Sequence, residues 1–343
     1  MTDLWNYLKT ASKPILLYGM GDGADKIISV LNRYGIKISG VFASDGFVRK
    51  KIFHGFEVCD YTTAKSRFGD MIVLLCFGTP LGSVIDNIKR IAAEQELYAP
   101  DVPVYGNTLF NMEYARENAD KLRYIYNLLA DEQSKKVFEN TVLYKLSGDI
   151  RYLFDCESEP REAYEAILKL TDTETYFDLG AYRGDTVAEF LHYTKGYNKI
   201  VAVEPDKKTY IKLCTATEGI KNITNINAAV SDKCGKIEFC MNASRGSNAA
   251  GGVLIDSISV DSLLNYGAPT FIKMDIEGAE LAAVTGATET LIKHKPKLQL
   301  ATYHRSEDLI VLPLSVLKIN PEYKLYMRHF PCLPSWDINY YFI

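Results

Sequence analysis

The sequence TYFDLGAYRGDT, at residues 175–186, combines a short apolar strand, a glycine-containing turn and the start of a helix. This order opens a parallel α/β unit. In open α/β sheets a ligand binds beyond the carboxyl ends of the strands, at the first turn. Gly180 lets the backbone pass close to a ligand, and Gly184 lets the helix begin close to the strand. The stretch therefore predicts a ligand-binding α/β domain.

The carboxylate of Asp178 at the end of this strand bears on the kind of ligand. A phosphate-binding turn avoids a carboxylate at this position, because two negative charges repel. A ligand that carries an ammonium and a sulfonium favours one. Asp178 therefore favours S-adenosylmethionine over a dinucleotide, and a purely structural turn is the alternative.

A second acidic residue, Glu204, lies 26 residues after Asp178, at the predicted end of the next strand. A carboxylate there can accept hydrogen bonds from both ribose hydroxyls. Pro205 then ends the strand, and Asp206 follows it. Since NAD enzymes use the same arrangement, Glu204 indicates adenosine more firmly than it indicates a methyl donor. A solvated acidic turn is the alternative.

The stretch KMDIEGAE, at residues 273–280, places three acids near the end of a further strand. Alternation along the strand puts Lys273 and Asp275 on one face, with Asp275 at the carboxyl tip. The acids could orient substrate hydroxyls or hold a divalent cation. Helix capping is the alternative for Glu277 and Glu280, and for Glu280 we prefer it.

His304 follows the predicted strand at residues 297–302. An alcohol needs a base as its proton leaves, and the unperturbed histidine pKa of about 6.5 suits that role. A structural histidine is the alternative. Ser306 is predicted to be the N-cap of the next helix.

Together these motifs resemble the FkbM family of methyltransferases over roughly residues 171–305. The resemblance is carried by DLGA at 178–181, VEP at 203–205, NAAVSD at 227–232, KMDIEGAE at 273–280, Pro296 and the pair Tyr303-His304. Proteins of this kind typically methylate hydroxyls of sugars, glycans or macrolide-type natural products. The sequence departs from the family at Tyr182-Arg183, where a smaller polar residue is usual, and at Thr302, where many members have an acid.

The resemblance implies a set of site residues. Those expected to bind S-adenosylmethionine are Asp178, Gly180, Ala181, Tyr182, Glu204, Pro205, Asp206, Ala229 and Asp275. Those expected to face the acceptor are Lys273, Glu277 and His304, with His304 and Asp275 as the catalytic pair. A divalent metal is a further expectation, without assigned ligands.

A second strand–turn–helix unit contains Gly19-x-Gly21-x-x-Ala24, with Asp45 at the end of the next strand. This is the context of a dinucleotide-binding turn. It could bind a nucleotide or nucleotide-sugar, or serve only for docking. It also supports two rival functions, an NAD-dependent sugar-modifying oxidoreductase or epimerase and a non-catalytic nucleotide-binding sensor.

The length of 343 residues suits two domains. We predict a smaller Rossmann-like domain at residues 1–108, a helical connector at 109–170 and a Rossmann-like methyltransferase domain at 171–343. The last would contain a seven-stranded mixed α/β sheet, closed by an antiparallel pair from residues 323–330 and 336–343.

Composition limits the partners. The net charge of −4 argues against a dedicated nucleic-acid binder. No apolar run approaches the roughly 20 residues of a membrane span, and the N-terminus lacks a secretory signal pattern. The seven cysteines include no CxxC pair and are odd in number, so reduced thiols are expected. We therefore expect a cytoplasmic enzyme with a small-molecule or glycan acceptor.

Overall fold

The N-terminal part of the chain is built on a four-stranded parallel sheet. A computed structural model describes residues 2–44, 48, 52–239 and 252–343, so the predicted strand-end residue Asp45 lies outside the described part. The strands are β1 (Ile15–Tyr18), β2 (Gly40–Phe42), the small hairpin β3 (Ile52–Phe53) and β4 (Phe56–Glu57), β5 (Ile72–Leu75) and β6 (Glu96–Tyr98). The sheet order is β2-β1-β5-β6. Its helices are α1 (Leu4–Thr10), α2 (Asp22–Arg33), α3 (Tyr61–Phe68) and α4 (Gly82–Glu94).

The turn between β1 and α2 has the predicted strand–glycine–helix geometry. Gly19 and Gly21 have φ angles of 110° and 106°, which are costly for other residues. A Cβ at Gly23 would lie 2.2 Å from the carbonyl oxygen of Cys76, so the helix can start close to β5 only with glycine there.

Helices dominate the next sixty residues, as the periodicity predicts. They are α5 (Met112–Glu117), α6 (Ala119–Leu128), α7 (Glu132–Ser147), α8 (Arg151–Phe154), α9 (Pro160–Glu162) and a π-helical turn at Ala163–Leu168. Ile125 and Val137 belong to the core of the C-terminal sheet, whereas Tyr144 and Leu153 pack into the N-terminal core. The helices therefore join two hydrophobic cores, and the boundaries at residues 108 and 170 stay predictions.

The C-terminal part contains the predicted seven-stranded mixed sheet, in the order β15-β16-β14-β13-β7-β8-β9. Its strands are β7 (Thr175–Leu179), β8 (Lys199–Val203), β9 (Ile223–Ile226), β13 (Phe271–Met274), β14 (Lys297–Ala301), β15 (Leu325–His329) and β16 (Ile338–Phe342). The two C-terminal strands pair antiparallel with each other, and β16 pairs antiparallel with β14. The prediction of a mixed sheet closed by the C-terminal tail is confirmed.

The remaining elements lie around this sheet. They are β10 (Ala229–Val230), β11 (Gly235–Phe239) and β12 (Val253–Ile258), which form a small sheet, a 3₁₀ turn at Asp261–Tyr266, and the helices α10 (Asp185–Tyr193), α11 (Lys207–Ala216), α12 (Glu280–Thr285), α13 (Thr288–Lys293) and α14 (Asp308–Ile319). Strand β11 is described up to Phe239, and residues 240–251 lie outside the described part. Within residues 2–44, 52–239 and 252–343, no helix has the length and apolar character to cross a bilayer.

The N-terminal part contacts the edge of the large sheet where its parallel strands end. Backbone hydrogen bonds run in both directions between Thr79 and Leu333, at 2.6 and 3.0 Å. The Tyr105 N–H donates to the carbonyl oxygen of His304 at 2.9 Å. Because β7, β8, β13 and β14 are parallel, the residues that follow them meet at this same edge. The predicted site residues are thereby brought together beside the N-terminal part.

Candidate functional site

Asp178 lies at the centre of the sheet edge and is completely buried. Its Oδ2 accepts a hydrogen bond from the Thr186 hydroxyl. Its Oδ1 lies 4.0 Å from Lys273 Nζ and has no hydrogen-bond partner among the described residues. Burial raises the pKa of the Asp178 carboxyl, and the Lys273 ammonium opposes that rise. A buried carboxyl with an unsatisfied oxygen fits a site near a cationic group, and direct contact with a ligand stays a prediction.

The turn after β7 brings two backbone segments into contact. A Cβ at Gly180 would lie 1.9 Å from the carbonyl oxygen of Asp275, and its φ is 86°. The Ala181 N–H donates to the carbonyl oxygen of Val203 at 3.0 Å, and Ala181 is buried. Tyr182 has a φ of 45° and exposes 48% of its surface. The turn therefore packs closely inward and presents one aromatic side chain outward.

Glu204 extends from the end of β8 across this turn. Its carboxylate accepts the Tyr182 N–H at 3.0 Å and the Asp206 N–H at 2.9 Å. Burial raises the pKa of the Glu204 carboxyl to about 7, although both backbone donors act to lower it. A carboxylate has about four acceptor positions, so two remain for ribose hydroxyls. The geometry fits the predicted adenosine contact.

The residues flanking Glu204 have local structural roles. Asp206 is the N-cap of α11 and accepts the Thr209 N–H at 2.8 Å. The side chain of Asn227 donates to the carbonyl oxygens of Glu204 and Pro205, at 2.8 and 3.0 Å. This places the segment that leads to Ala229, a predicted S-adenosylmethionine contact, beside the turn, with Ala229 buried in β10. Their ligand contacts stay predictions.

Lys273 and Asp275 lie on one face of β13, as the alternation predicts. Lys273 Nζ is 3.7 Å from Asp275 Oδ2 and has no hydrogen-bond partner in the described part of the chain. Only 5% of Lys273 is exposed, so the side chain lies beneath the surface of the site, between two carboxylates. Tyr303 donates its hydroxyl to Asp275 Oδ1 at 3.1 Å. These contacts leave Asp275 ionised and fixed, since Lys273 and His304 keep the pKa of its carboxyl low against the opposing effect of burial.

His304 is buried, with 1% of its side chain exposed. Its Nδ1 lies 2.9 Å from Glu280 Oε1. Its Nε2 lies 3.5 Å from Asp275 Oδ1 and 3.7 Å from Glu277 Oε2. Burial lowers the pKa of His304, but the hydrogen bond to Glu280 and the surrounding carboxylates raise it to about 9. The predicted histidine and acids are therefore one cluster.

Ser306 and Glu280 were both predicted to have capping roles at helix starts. Ser306 is not the N-cap of α14, which is Glu307, and the Ser306 hydroxyl is buried without a hydrogen-bond partner among the described residues. Glu280 does accept a backbone N–H, that of Ile276 at 2.9 Å. Its contact with His304 was not predicted, because residues 24 positions apart in sequence carry no sign of their proximity.

The expectation of a divalent metal is not tested by the geometry. Asp275, Glu280 and His304 each offer one ligand atom, and these atoms lie within 4.8 Å of one another. However, Glu280 and His304 are already in hydrogen-bond contact with each other, with Oε1 and Nδ1 2.9 Å apart. Metal binding stays a prediction.

At the N-terminal turn, Asp22 lies in the first turn of α2 and pairs with Lys26 at 3.1 Å. A carboxylate at a helix start occupies the region where a dinucleotide would bring a phosphate. Nucleotide binding here stays a prediction. Tyr105 was not among the predicted site residues, but its ring packs against the His304 ring, with the two ring centroids 6.2 Å apart.

Comparison with known proteins shows a similarity in the part of the chain that contains this site. Residues 178–317 match the model of the methyltransferase FkbM domain. A crystal structure of methyltransferase FkbM from Methylobacillus flagellatus is similar over 97% of this chain and 90% of its own, with a TM-score of 0.73 and 23% identity, which shows the shared fold.

Two further structures overlap 53% of this chain at 13% identity. They are a precorrin-6y C5,15-methyltransferase from Geobacter metallireducens (85% of that chain, TM-score 0.34) and an Aeropyrum pernix fibrillarin with bound S-adenosyl-L-methionine (73%, 0.35). No curated protein matches the chain. The matched segment contains every predicted site residue from Asp178 to His304, and this part of the chain is similar to the methyltransferase FkbM domain.

Proposed function

We propose that this protein is a methyltransferase that uses S-adenosylmethionine to methylate a hydroxyl of a sugar, glycan or natural product. The observation that carries the proposal is the sheet edge itself. Glu204 keeps two acceptor positions beside the Gly180 turn, and the His304 cluster lies at the same edge. One side of the edge thus suits adenosine, and the other suits removal of a proton.

S-adenosylmethionine would supply an electrophilic methyl group on a sulfonium. Glu204 would accept the ribose hydroxyls, and the Gly180 turn would let the backbone approach the ligand. Asp178, with an unsatisfied buried oxygen, would favour the positive end. Ala181, Tyr182, Pro205, Asp206 and Ala229 complete the proposed binding surface.

On the acceptor side, His304 Nε2 would take the proton of the hydroxyl as its oxygen bonds to the methyl carbon and the carbon–sulfur electron pair goes to sulfur. Asp275 would hold the hydroxyl in place, because its carboxylate is fixed by Tyr303 and Lys273. Positioning and exclusion of water would supply much of the acceleration.

The charges around the acceptor side favour a neutral, hydroxyl-bearing acceptor. Glu277 exposes 64% of its side chain at the mouth of the cluster and offers a second carboxylate to a polyol. A phosphorylated acceptor would meet repulsion from Glu277 and Asp275. The N-terminal part closes over this side through Tyr105.

The test is isothermal titration with S-adenosylhomocysteine. We expect binding by the wild type, a loss of at least tenfold in affinity for Glu204→Gln, and no change for Glu218→Gln, an exposed glutamate just beyond α11. His304→Gln should bind normally but fail to transfer label from methyl-labelled S-adenosylmethionine to a glycan panel. Uptake of NAD(H) without S-adenosylhomocysteine binding would refute the proposal.

A further inference from the structure

The contact between Glu280 and His304 settles which ring nitrogen faces the site. Glu280 is the first residue of α12 and is completely buried. Its Oε1 accepts the Ile276 N–H at 2.9 Å and lies 2.9 Å from His304 Nδ1. An ionised carboxylate can only accept, so the proton of this contact belongs to Nδ1. In neutral His304 the free electron pair is then on Nε2.

Nε2 points to the mouth of the cluster. Asp275 Oδ1 and Glu277 Oε2 lie 3.5 and 3.7 Å from it, too far for good hydrogen bonds. A hydroxyl entering between Glu277 and Asp275 would reach Nε2 before any other nitrogen of the cluster. The arrangement resembles the catalytic triad of hydrolases, in which an acid orients a histidine and the histidine activates a nucleophile. Here the acceptor hydroxyl would take the place of the nucleophile.

We infer that Glu280 is the positioning residue of the methyl-transfer site, which holds His304 as the Nδ1–H tautomer so that Nε2 receives the acceptor proton. This inference rests on the proposed function. Glu280 does not touch the acceptor; it acts through the imidazole. Once the proton has moved to Nε2, the Glu280 carboxylate stabilises the imidazolium until solvent removes the proton.

The surroundings of His304 support a strong base. The titratable groups that face it are Glu280, Asp275, Glu277, Asp308, Tyr303 and Tyr105. Burial raises the pKa of both tyrosines, so they stay neutral, and raises that of Asp308 to about 7. With a pKa of about 9, His304 is a stronger base than free histidine, but its neutral, proton-accepting form predominates only above pH 9, so methyl transfer should rise as the pH approaches 9.

A capping role alone does not account for Glu280. Capping of Ile276 uses one oxygen and needs no histidine. The second oxygen, Oε2, is buried and has no hydrogen-bond partner among the described residues, which is costly for a carboxylate unless a cation lies beside it. When His304 is protonated, it is the cation beside Glu280, with its Nδ1 2.9 Å from Oε1.

The experiment is ¹⁵N spectroscopy of histidine-labelled protein, free and with S-adenosylhomocysteine. The His304 signal is the one lost in His304→Gln. In the wild type we expect the neutral form to carry its proton on Nδ1 and the pKa to lie near 9. Glu280→Gln should lower that pKa by at least one unit, a tenfold change in proton affinity, and Glu280→Asp should restore part of it.

Glu289→Gln, the same change at an exposed position on α13, is the matched control and should alter neither signal nor binding. A proton on Nε2 in the neutral wild type, or an unchanged His304 pKa in Glu280→Gln, would overturn the inference. If Glu280→Gln does not fold, the wild-type tautomer alone decides. Failure of the wild type to bind S-adenosylhomocysteine would instead refute the proposed function, so the two failures are distinguishable.

Discussion

Binding of S-adenosylhomocysteine should weaken as the pH falls below neutrality, because Glu204 must be ionised to accept two ribose hydroxyls. Burial holds the pKa of this carboxyl at about 7 in the free protein. The carboxylate form is therefore predominant above pH 7 and is lost as the pH falls through 7. New hydrogen bonds from the ribose would favour the ionised form and lower its pKa in the complex.

The size of the effect follows from the ionised fraction. With a pKa of about 7, roughly one tenth of Glu204 is ionised at pH 6 and roughly nine tenths at pH 8, so the affinity should change about tenfold, or about 1.4 kcal/mol. Titration calorimetry from pH 5.5 to 8 measures this directly. Glu204→Gln should bind weakly at every pH, without the tenfold slope.

Burial also raises the pKa of Asp308 to about 7, so Asp308 titrates in the same pH range as Glu204. The Glu204→Gln variant distinguishes the contributions of these two groups. Should Glu204→Gln retain the full pH dependence, the titrating group would be a different one. A wild-type affinity that is flat between pH 6 and 8 would refute the reasoning about ribose recognition.

Three further predictions concern the same edge. Gly180→Ala should destabilise the fold by about 2 kcal/mol or more, because the new Cβ would lie 1.9 Å from the Asp275 carbonyl oxygen, at a residue with a φ of 86°. Urea unfolding measures the loss, and Gly82→Ala is the control because its Cβ would meet no atom within 4 Å. Lys273→Met should cost about 3 kcal/mol of unfolding free energy by leaving Asp178 as an unpaired buried charge, and an unfolding midpoint equal to that of the wild type would contradict this. Excess EDTA tests the expectation of a divalent metal at this cluster: a loss of methyl transfer that Mg²⁺ reverses would support it, and unchanged methyl transfer would contradict it.

Much of the site was accessible from sequence because strand ends are recognisable. Apolar runs that stop at Asp178, Glu204 and Asp275 mark the carboxyl ends of parallel strands, and these ends must share one edge. The antiparallel closure by the tail followed from its aromatic alternation. The prediction of Ser306 as an N-cap was wrong by one residue, because the N-cap of α14 is Glu307.

The sequence by itself determined the class of sheet, the order of its motifs and the acids at its edge, since these depend on local periodicity and on chain direction. Only the tertiary structure decided how the charges pair. Lys273 lies between Asp178 and Asp275, and Glu280 holds His304, through contacts between segments far apart in the chain. Pairing depends on distances of a few ångströms inside a dry interior, and no sequence pattern encodes those distances.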